Sequence, residues 1–506
     1  MSNRTNHSIK NFIVGTINRI AWIVIPFVFR TIIIYVLGQE YLGINNLFSS
    51  ILQVLNVADI GLGNAIQASI YKPIAEEEYD KVSALLKLYR NIYRVIGGAI
   101  LVASIVILPF LPNLIKGNCP EDVNIYVLFL LYAVNTSLSY LLFAYASILI
   151  NASQRMDLTG SVALISKLVT SVLQVVALIY FKDIVLYVAC NVLCTALQNI
   201  LNYIIVRKKF SQYTCAGKVD RETKSLLYKN TMALIIQKVG TTLSTSFDTI
   251  VISAFIGLSA VGIYGNYQYI SQAVGSFLDL AFAAIIASVG NSIVKESLKK
   301  NKRDFNDLSF VNSWVVGWCT ICLACLLQNF EAIWTSGTMM ESDTTVLAIA
   351  VCFYVTYIRK IVLTYKDALG LWYADKWKPL VGGGFNLVCN IIFVRLFGVV
   401  GVVLSTILSY LLIEIPWENK IFFQFYLKDG PKGYYKDYAY MLLSTILAGG
   451  VTYFLCSFDG YGLKAFALRL MICAIVPNVI IVLLNCNRTP YRLVRERLSR
   501  IIEKRK

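Results

Sequence analysis

Residues 12–37 read FIVGTINRIAWIVIPFVFRTIIIYVL. The run exceeds the about 20 apolar residues that a bilayer crossing needs. Yet Arg19 and Arg30 lie inside it. A cation in hydrocarbon costs at least about 2.5–3.5 kcal/mol, so such residues are retained where they face a polar interior. Similar runs fill the chain almost to its end, and some of them carry cations too. Lys238 lies within 231–256, and Arg359 and Lys360 lie within 345–369. The pattern predicts an all-α polytopic membrane protein, a transporter whose positive interior suits an anionic cargo.

Composition points the same way. Of 506 residues, 57% are hydrophobic and 15% charged, with a mean hydropathy of +0.64, unlike a water-soluble multidomain chain. The net charge of +17 invites a nucleic-acid reading. However, no nucleic-acid motif accompanies it and most of it falls between apolar runs, so no nucleic-acid partner is expected. The start, 1–11, is polar with Arg4 and Lys10. The run that follows is too long for a signal-peptide core and lacks a small-residue cleavage site, which makes it the first retained span.

Breakers and apolar runs place about fourteen transmembrane helices. They lie near 12–37, 44–71, 92–115, 125–150, 158–181, 184–206, 231–256, 260–290, 308–330, 344–369, 379–397, 400–425, 439–457 and 464–486. Connections on one side are rich in Lys and Arg, as in 207–229 and 295–303; those on the other, such as 38–43, 116–124 and 331–343, are short and poor in both. The positive-inside rule puts the basic set, and with an even span count both termini, in the cytoplasm. The tail 491–506 is basic with apolar residues at helical spacing, and is expected on anionic inner-leaflet lipids.

An internal repeat organises the spans. Gly38-x4-Gly43-Ile44 after the first recurs as Gly257-x4-Gly262-Ile263 after the seventh, at an offset of 219 that also maps Arg19 onto Lys238. A weaker echo pairs 154–157 with 375–378 at offset 221. Six spans per repeat keep one orientation, so two pseudo-symmetric six-helix lobes are expected, related by an axis along the membrane normal. The expected segments are a lobe at 1–206, a basic linker at 207–230 and a second lobe at 231–427. Two additional transmembrane helices at 428–487 and a basic amphipathic tail at 488–506 follow.

Arg19 and Arg30 are eleven residues apart, about three helical turns, and so share a face. With Lys238, Arg359 and Lys360 they form the candidate cationic cavity, in which Arg supplies a bidentate fork and Lys a point charge for phosphate. Asp59, Asp248 and Asp279 are candidates for counter-charge or ion coupling, with Lys238 paired to Asp248 as the alternative to cargo contact. Twelve cysteines are scattered and most lie in apolar runs, where Cys acts as a small hydrophobe. Cys319-x2-Cys322-x2-Cys325 lacks a fourth Cys-Pro and sits in a span, so no metal site is expected there. The only histidine is His7. With no Gly-x4-Gly-Lys-Ser/Thr loop either, neither an enzyme nor a cofactor is expected.

Several stretches carry a family resemblance. They are Phe29-Arg30-Thr31 leading into Leu37-Gly38-x2-Tyr41-Leu42-Gly43-Ile44-Asn45-x-Leu47-Phe48-Ser49, then Ala58-Asp59-Ile60-Gly61-Leu62-Gly63-Asn64-Ala65-Ile66 and Tyr71-Lys72-Pro73. The second half adds Val261-Gly262-Ile263-Tyr264-x-Asn266-Tyr267, and Arg359 followed by Asp367-Ala368-Leu369-Gly370. Together they resemble Wzx-type polysaccharide and O-antigen flippases of the multidrug/oligosaccharidyl-lipid/polysaccharide (MOP) exporter superfamily. The resemblance implies a V-shaped, MATE-like pair of lobes in the bacterial cytoplasmic membrane. Its implied cargo is an undecaprenyl-pyrophosphate-linked oligosaccharide, with polysaccharide polymerase or chain-length machinery as possible partners. A lipid II flippase and a MATE-type antiporter remain the alternatives; an antiporter for cations would need an acidic interior. A glycan polymerase or ligase would need a large external loop with catalytic Arg or His.

Overall fold

A computed structural model describes residues 20–56, 60–117, 119–371, 374–458, 460–489, 491–493 and 495–496, and among them every regular element is helical. Arg19, Asp59 and the tail beyond 496 lie outside the described residues. The chain divides into two compact units, Met1–Gly262 and Ile263–Lys506. The first holds α1 (Ile20–Val36), α2 (Gln39–Leu55), α3 (Ile60–Ala75), α4 (Tyr79–Ile107), α5 (Ile125–Leu141), α6 (Ala144–Ala152), α7 (Met156–Ile179), α8 (Ile184–Lys209) and α9 (Arg221–Phe255). Helix α10 (Leu258–Lys295) begins there and continues into the second unit. That unit adds α11 (Leu298–Trp334), α12 (Asp343–Ile358), α13 (Lys360–Ala368), α14 (Lys378–Phe397) and α15 (Val399–Ser409). It ends with α16 (Ile415–Phe422), α17 (Lys432–Cys456) and α18 (Leu463–Asn485).

Among the described residues, ten helices are long and apolar enough to cross a membrane, or eleven if α5 and α6, bent by 49° at their junction, form one span. The other expected segments are helical but differ in kind. Helix α1 is short in its described part, α2 and α3 are separate, and α9 carries the polar run 241–246. Although its sequence places α9 in the second repeat, it packs on α2 and α3 in the first unit.

Polarity is inverted relative to a soluble bundle. On α7, Ser166, Thr170 and Gln174 are buried at successive four-residue steps, while Leu168, Val169, Val172, Leu173 and Val176 are exposed. Helix α17 repeats the arrangement, with Ser444, Thr445 and Thr452 inside and Leu443, Ile446, Leu447 and Val451 outside. An apolar outer face and a hydrogen-bonding inner face are the solution that lipid demands. Asn124, Asp183 and Ser342, in short connections between spans, accept hydrogen bonds from the first amides of α5, α8 and α12. In a basic connection, the Lys302 ammonium and then the Gly430 amide hold the Asp429 carboxyl below its ordinary range.

The two Gly-x4-Gly turns meet. Gly38 and Gly257 take φ of 109° and 133°, the region that favours glycine, and lead into α2 and α10. A Cβ on Gly43 would strike the Leu258 carbonyl oxygen, and one on Gly262 the Gln39 carbonyl oxygen. Gln39 and Leu258 are related by the same 219-residue offset, so the contact is reciprocal. Gly43→Ala forces backbone apart and is expected to cost about 1–3 kcal/mol. Thermal unfolding of the detergent-purified protein checks this, with Gly384→Ala as control because nothing lies within 4 Å of that added Cβ. Equal stability of Gly43→Ala and wild type would refute the close approach.

Candidate functional site

In the first unit, Arg30 of α1 is half-buried and donates from Nη2 to Asn46 Oδ1 on α2 at 2.9 Å. Asn46 in turn donates to the Val261 carbonyl at 3.4 Å. The neighbouring Phe29 is buried, its ring 5.6 Å from that of Tyr187 on α8. Lys167 of α7 sits with Nζ 5.9 Å from the Phe29 centroid. Helices α7 and α8 therefore bring a lysine and a tyrosine to the ring of Phe29, the residue before Arg30. Further contacts among α2, α5, α7 and α8 are polar and uncharged. Tyr132 donates to Asn45 at 2.5 Å, Thr195 to Asn135 at 2.7 Å and Gln174 to Asn191 at 2.9 Å.

Lys238 on α9 is half-buried and makes no ion pair among the described residues, with Asp248 or otherwise. Asp248, ten residues further along the same helix and so about 15 Å away, is buried and engaged elsewhere. Lys167 likewise makes no ion pair among the described residues.

The second unit treats its cations differently. Arg359, expected to face cargo, is held by Glu414 at 2.7 Å and Glu418 at 3.2 Å, with the Tyr410 ring 4.4 Å from its guanidinium carbon. Lys378 pairs with Glu418 and lies 3.7 Å from both Asp375 and Glu414, and Lys366 pairs with Asp375. Three cations and three carboxylates sum to zero charge, and Arg359 is the most exposed of the six side chains at 12%. Such a cluster survives burial because each charge has its counter-charge within contact distance. A π-helical turn, Tyr410–Glu414, precedes α16. Glu414 and Glu418, one turn apart, both reach Arg359 and Lys378 from there.

Lys360, the next residue after Arg359, diverges by about 100° around the helix. It binds Asp279 of α10 at 2.8 Å, where the Tyr357 hydroxyl also approaches at 3.4 Å. Asp279 is thus a counter-charge in this structure.

The sequence reading had not singled out Lys167, Lys366, Lys378, Glu414 or Glu418. Lys167 and the two glutamates carried a usable signal, a charge inside an apolar run, and the glutamates are spaced by four. Lys366, Asp375 and Lys378 fall at span ends, where charges ordinarily reach water. The ion pairs at the two ends of the weak echo differ. Arg155 forms a two-point pair with Asp157 at 2.8 and 3.0 Å, whereas Asp375, which the 221-residue offset maps onto Gln154, pairs with Lys366.

This helical architecture is shared with solved transporters. The lipid II flippase MurJ in an inward closed conformation superposes with a TM-score of 0.67 at 15% identity, over 94% of this chain and 98% of that one. An inward-facing multidrug resistance MATE family transporter of the MOP superfamily gives 0.61 at 14% identity, covering 79% and 94%. A MOP superfamily transporter from Pyrococcus furiosus gives 0.54 at 12% identity, covering 83% and 94%. At these identities the likeness is one of fold. An uncharacterized membrane protein of Methanocaldococcus jannaschii is 22% identical over 232 residues, 44% of each chain, so the match spans under half of that relative's length. The sequence pattern of the polysaccharide biosynthesis protein family matches residues 8–289, more than half of the chain. The chain is a member of the polysaccharide biosynthesis protein family, with a fold of the MOP transporter type.

Proposed function

We propose that this protein is a flippase that carries an undecaprenyl-pyrophosphate-linked oligosaccharide, a repeat unit of O-antigen, capsule or exopolysaccharide. Transfer runs from the inner to the outer leaflet of the bacterial cytoplasmic membrane by alternating access. The observation that carries this reading is the contrast in charge. Membrane-embedded Lys167 and Lys238 make no ion pair among the described residues, whereas Arg359, Lys360, Lys366 and Lys378 are each matched by carboxylates. Lysines kept in a membrane without a counter-charge are suited to an anion that arrives with the cargo. Arg30 adds a planar fork beside them. The polar amides and hydroxyls around Tyr132, Asn135 and Asn191 suit a hydroxylated glycan. Both termini are placed in the cytoplasm on the charge rule, with anionic inner-leaflet lipids and a polymerase as neighbours.

Cells lacking the protein should accumulate lipid-linked oligosaccharide that added glycosidase reaches only after the membrane is opened. Restoring the chain should return the glycan to the outer face. Rescue of cells depleted of their lipid II flippase, with no effect on glycan exposure, would overturn this reading in favour of lipid II as cargo.

A further inference from the structure

Four of the twelve cysteines converge in the second unit. The Sγ atoms of Cys325 on α11, Cys456 at the end of α17 and Cys473 on α18 all lie within 4.8 Å of one another, and all three residues are buried. Cys322, one helical turn before Cys325, brings its Sγ 3.9 Å from the Cys473 carbonyl oxygen. We propose that these four residues bind one thiophilic divalent metal ion of the zinc class, with Cys325, Cys456 and Cys473 as three thiolate ligands and Cys322, also as thiolate, swinging in at the fourth position.

Three features favour a metal over ordinary packing. In a tetrahedral thiolate site with metal–sulfur bonds of about 2.3 Å the sulfurs stand about 3.8 Å apart, a spacing these side chains reach by small rotations. Cys322-x2-Cys325 supplies two ligands from one helix face, as structural zinc sites commonly do, while the other two come from separate helices. Charge is also largely offset. Arg469, one turn before Cys473, donates from Nε to the Cys456 carbonyl at 3.0 Å and from Nη2 to the Phe458 carbonyl at 2.7 Å, which fixes a cation beside the thiols. Four thiolates, a divalent ion and this guanidinium leave a single net negative charge, against two for the same site without the arginine. Loading releases the four thiol protons to solvent. An apolar cavity of about 220 Å³, lined in part by Cys319 and Cys322, lies against the site. The metal would tie α17 and α18 to α11.

The test uses the full chain purified in detergent without chelator. Elemental analysis should find one zinc-class ion per chain, and cobalt(II) exchanged into the protein should show the thiolate-to-cobalt charge-transfer absorption. Both should vanish in Cys473→Ser and persist in Cys319→Ser, whose thiol is outside the cluster. Because Cys473→Ser could fail to fold, Cys322→Ala provides a milder variant, expected to keep the absorption but bind cobalt at least tenfold more weakly. The proposal is overturned by any of three results on wild type or variant. These are metal at background with no cobalt absorption, a disulfide among the four cysteines in non-reduced peptide mapping, or metal retained unchanged in folded Cys473→Ser.

Discussion

Export of surface polysaccharide is expected to collapse in the Arg30→Ala, Lys238→Ala double variant while the protein still accumulates in the membrane. On the proposed function, each substitution removes one charge-assisted contact to an anionic cargo, worth about 1.5–3 kcal/mol. A single change should therefore slow export by about 10- to 100-fold, and the two together by more. The side chains differ in what can replace them. Lys238 has no ion pair among the described residues, so Lys238→Arg should keep much of the activity because a charge remains. Arg30 is oriented by Asn46 at 2.9 Å, and Arg30→Lys should lose the planar fork and do worse. Lys167→Ala, beside the same Phe29 ring, belongs in the series as the cation that the charge contrast brought forward. Glycan exposed on the cell surface, normalised to membrane-embedded protein, is the measurement. Undiminished export by the double variant would eliminate these cations as cargo contacts.

Glu418→Leu is expected to fail differently, by losing folded protein rather than turnover. Its carboxylate meets both Arg359 and Lys378, and its side chain is 1% exposed. Removing one member of a buried ion cluster leaves a cation without compensation, at a cost of about 3–5 kcal/mol. Heating the detergent-solubilised protein and measuring what remains monodisperse should show a much lower midpoint. Adding Lys378→Met restores a balance of two cations against two carboxylates, so the double variant should regain part of the loss. By contrast, Lys302→Ala, which breaks the half-exposed pair with Asp429, should leave the midpoint in place. A Glu418→Leu protein as stable as wild type would show that the cluster does not hold the second unit together.

The membrane class, the helical content and the superfamily were legible in the sequence, because lipid imposes a requirement that each segment must meet alone. Every apolar run has to satisfy its own backbone hydrogen bonds, so length and hydropathy report the element without knowledge of its neighbours. Glycine spacing was legible for a related reason, since a close backbone approach admits only a missing Cβ. The sequence marked Gly43 and Gly262 as equivalent, and the structure showed that each faces the carbonyl at the other's turn. What α9 packs against was not legible, because its polar run 241–246 fits either repeat and only the packing on α2 and α3 selects one.

The pairing of charges also lay beyond the sequence. Arg359 and Lys360 are adjacent in apolar surroundings and looked alike, yet one turns to Glu414 and Glu418 and the other to Asp279. A charge inside a span declares that it needs a partner, and its own helix cannot say whether that partner is a carboxylate fifty-five residues away or an incoming anion. The cysteines make the same point. Cys325 has no cysteine neighbour in sequence that explains its surroundings, because Cys456 and Cys473, which lie with it inside 4.8 Å, arrive from two later helices. Sequence by itself determined that the chain is a multi-pass helical membrane protein and which of its residues are costly there. Only the tertiary structure decided which of those costs are met within the chain, because compensation acts between side chains a few ångströms apart in space, and helix packing, not chain order, sets those distances.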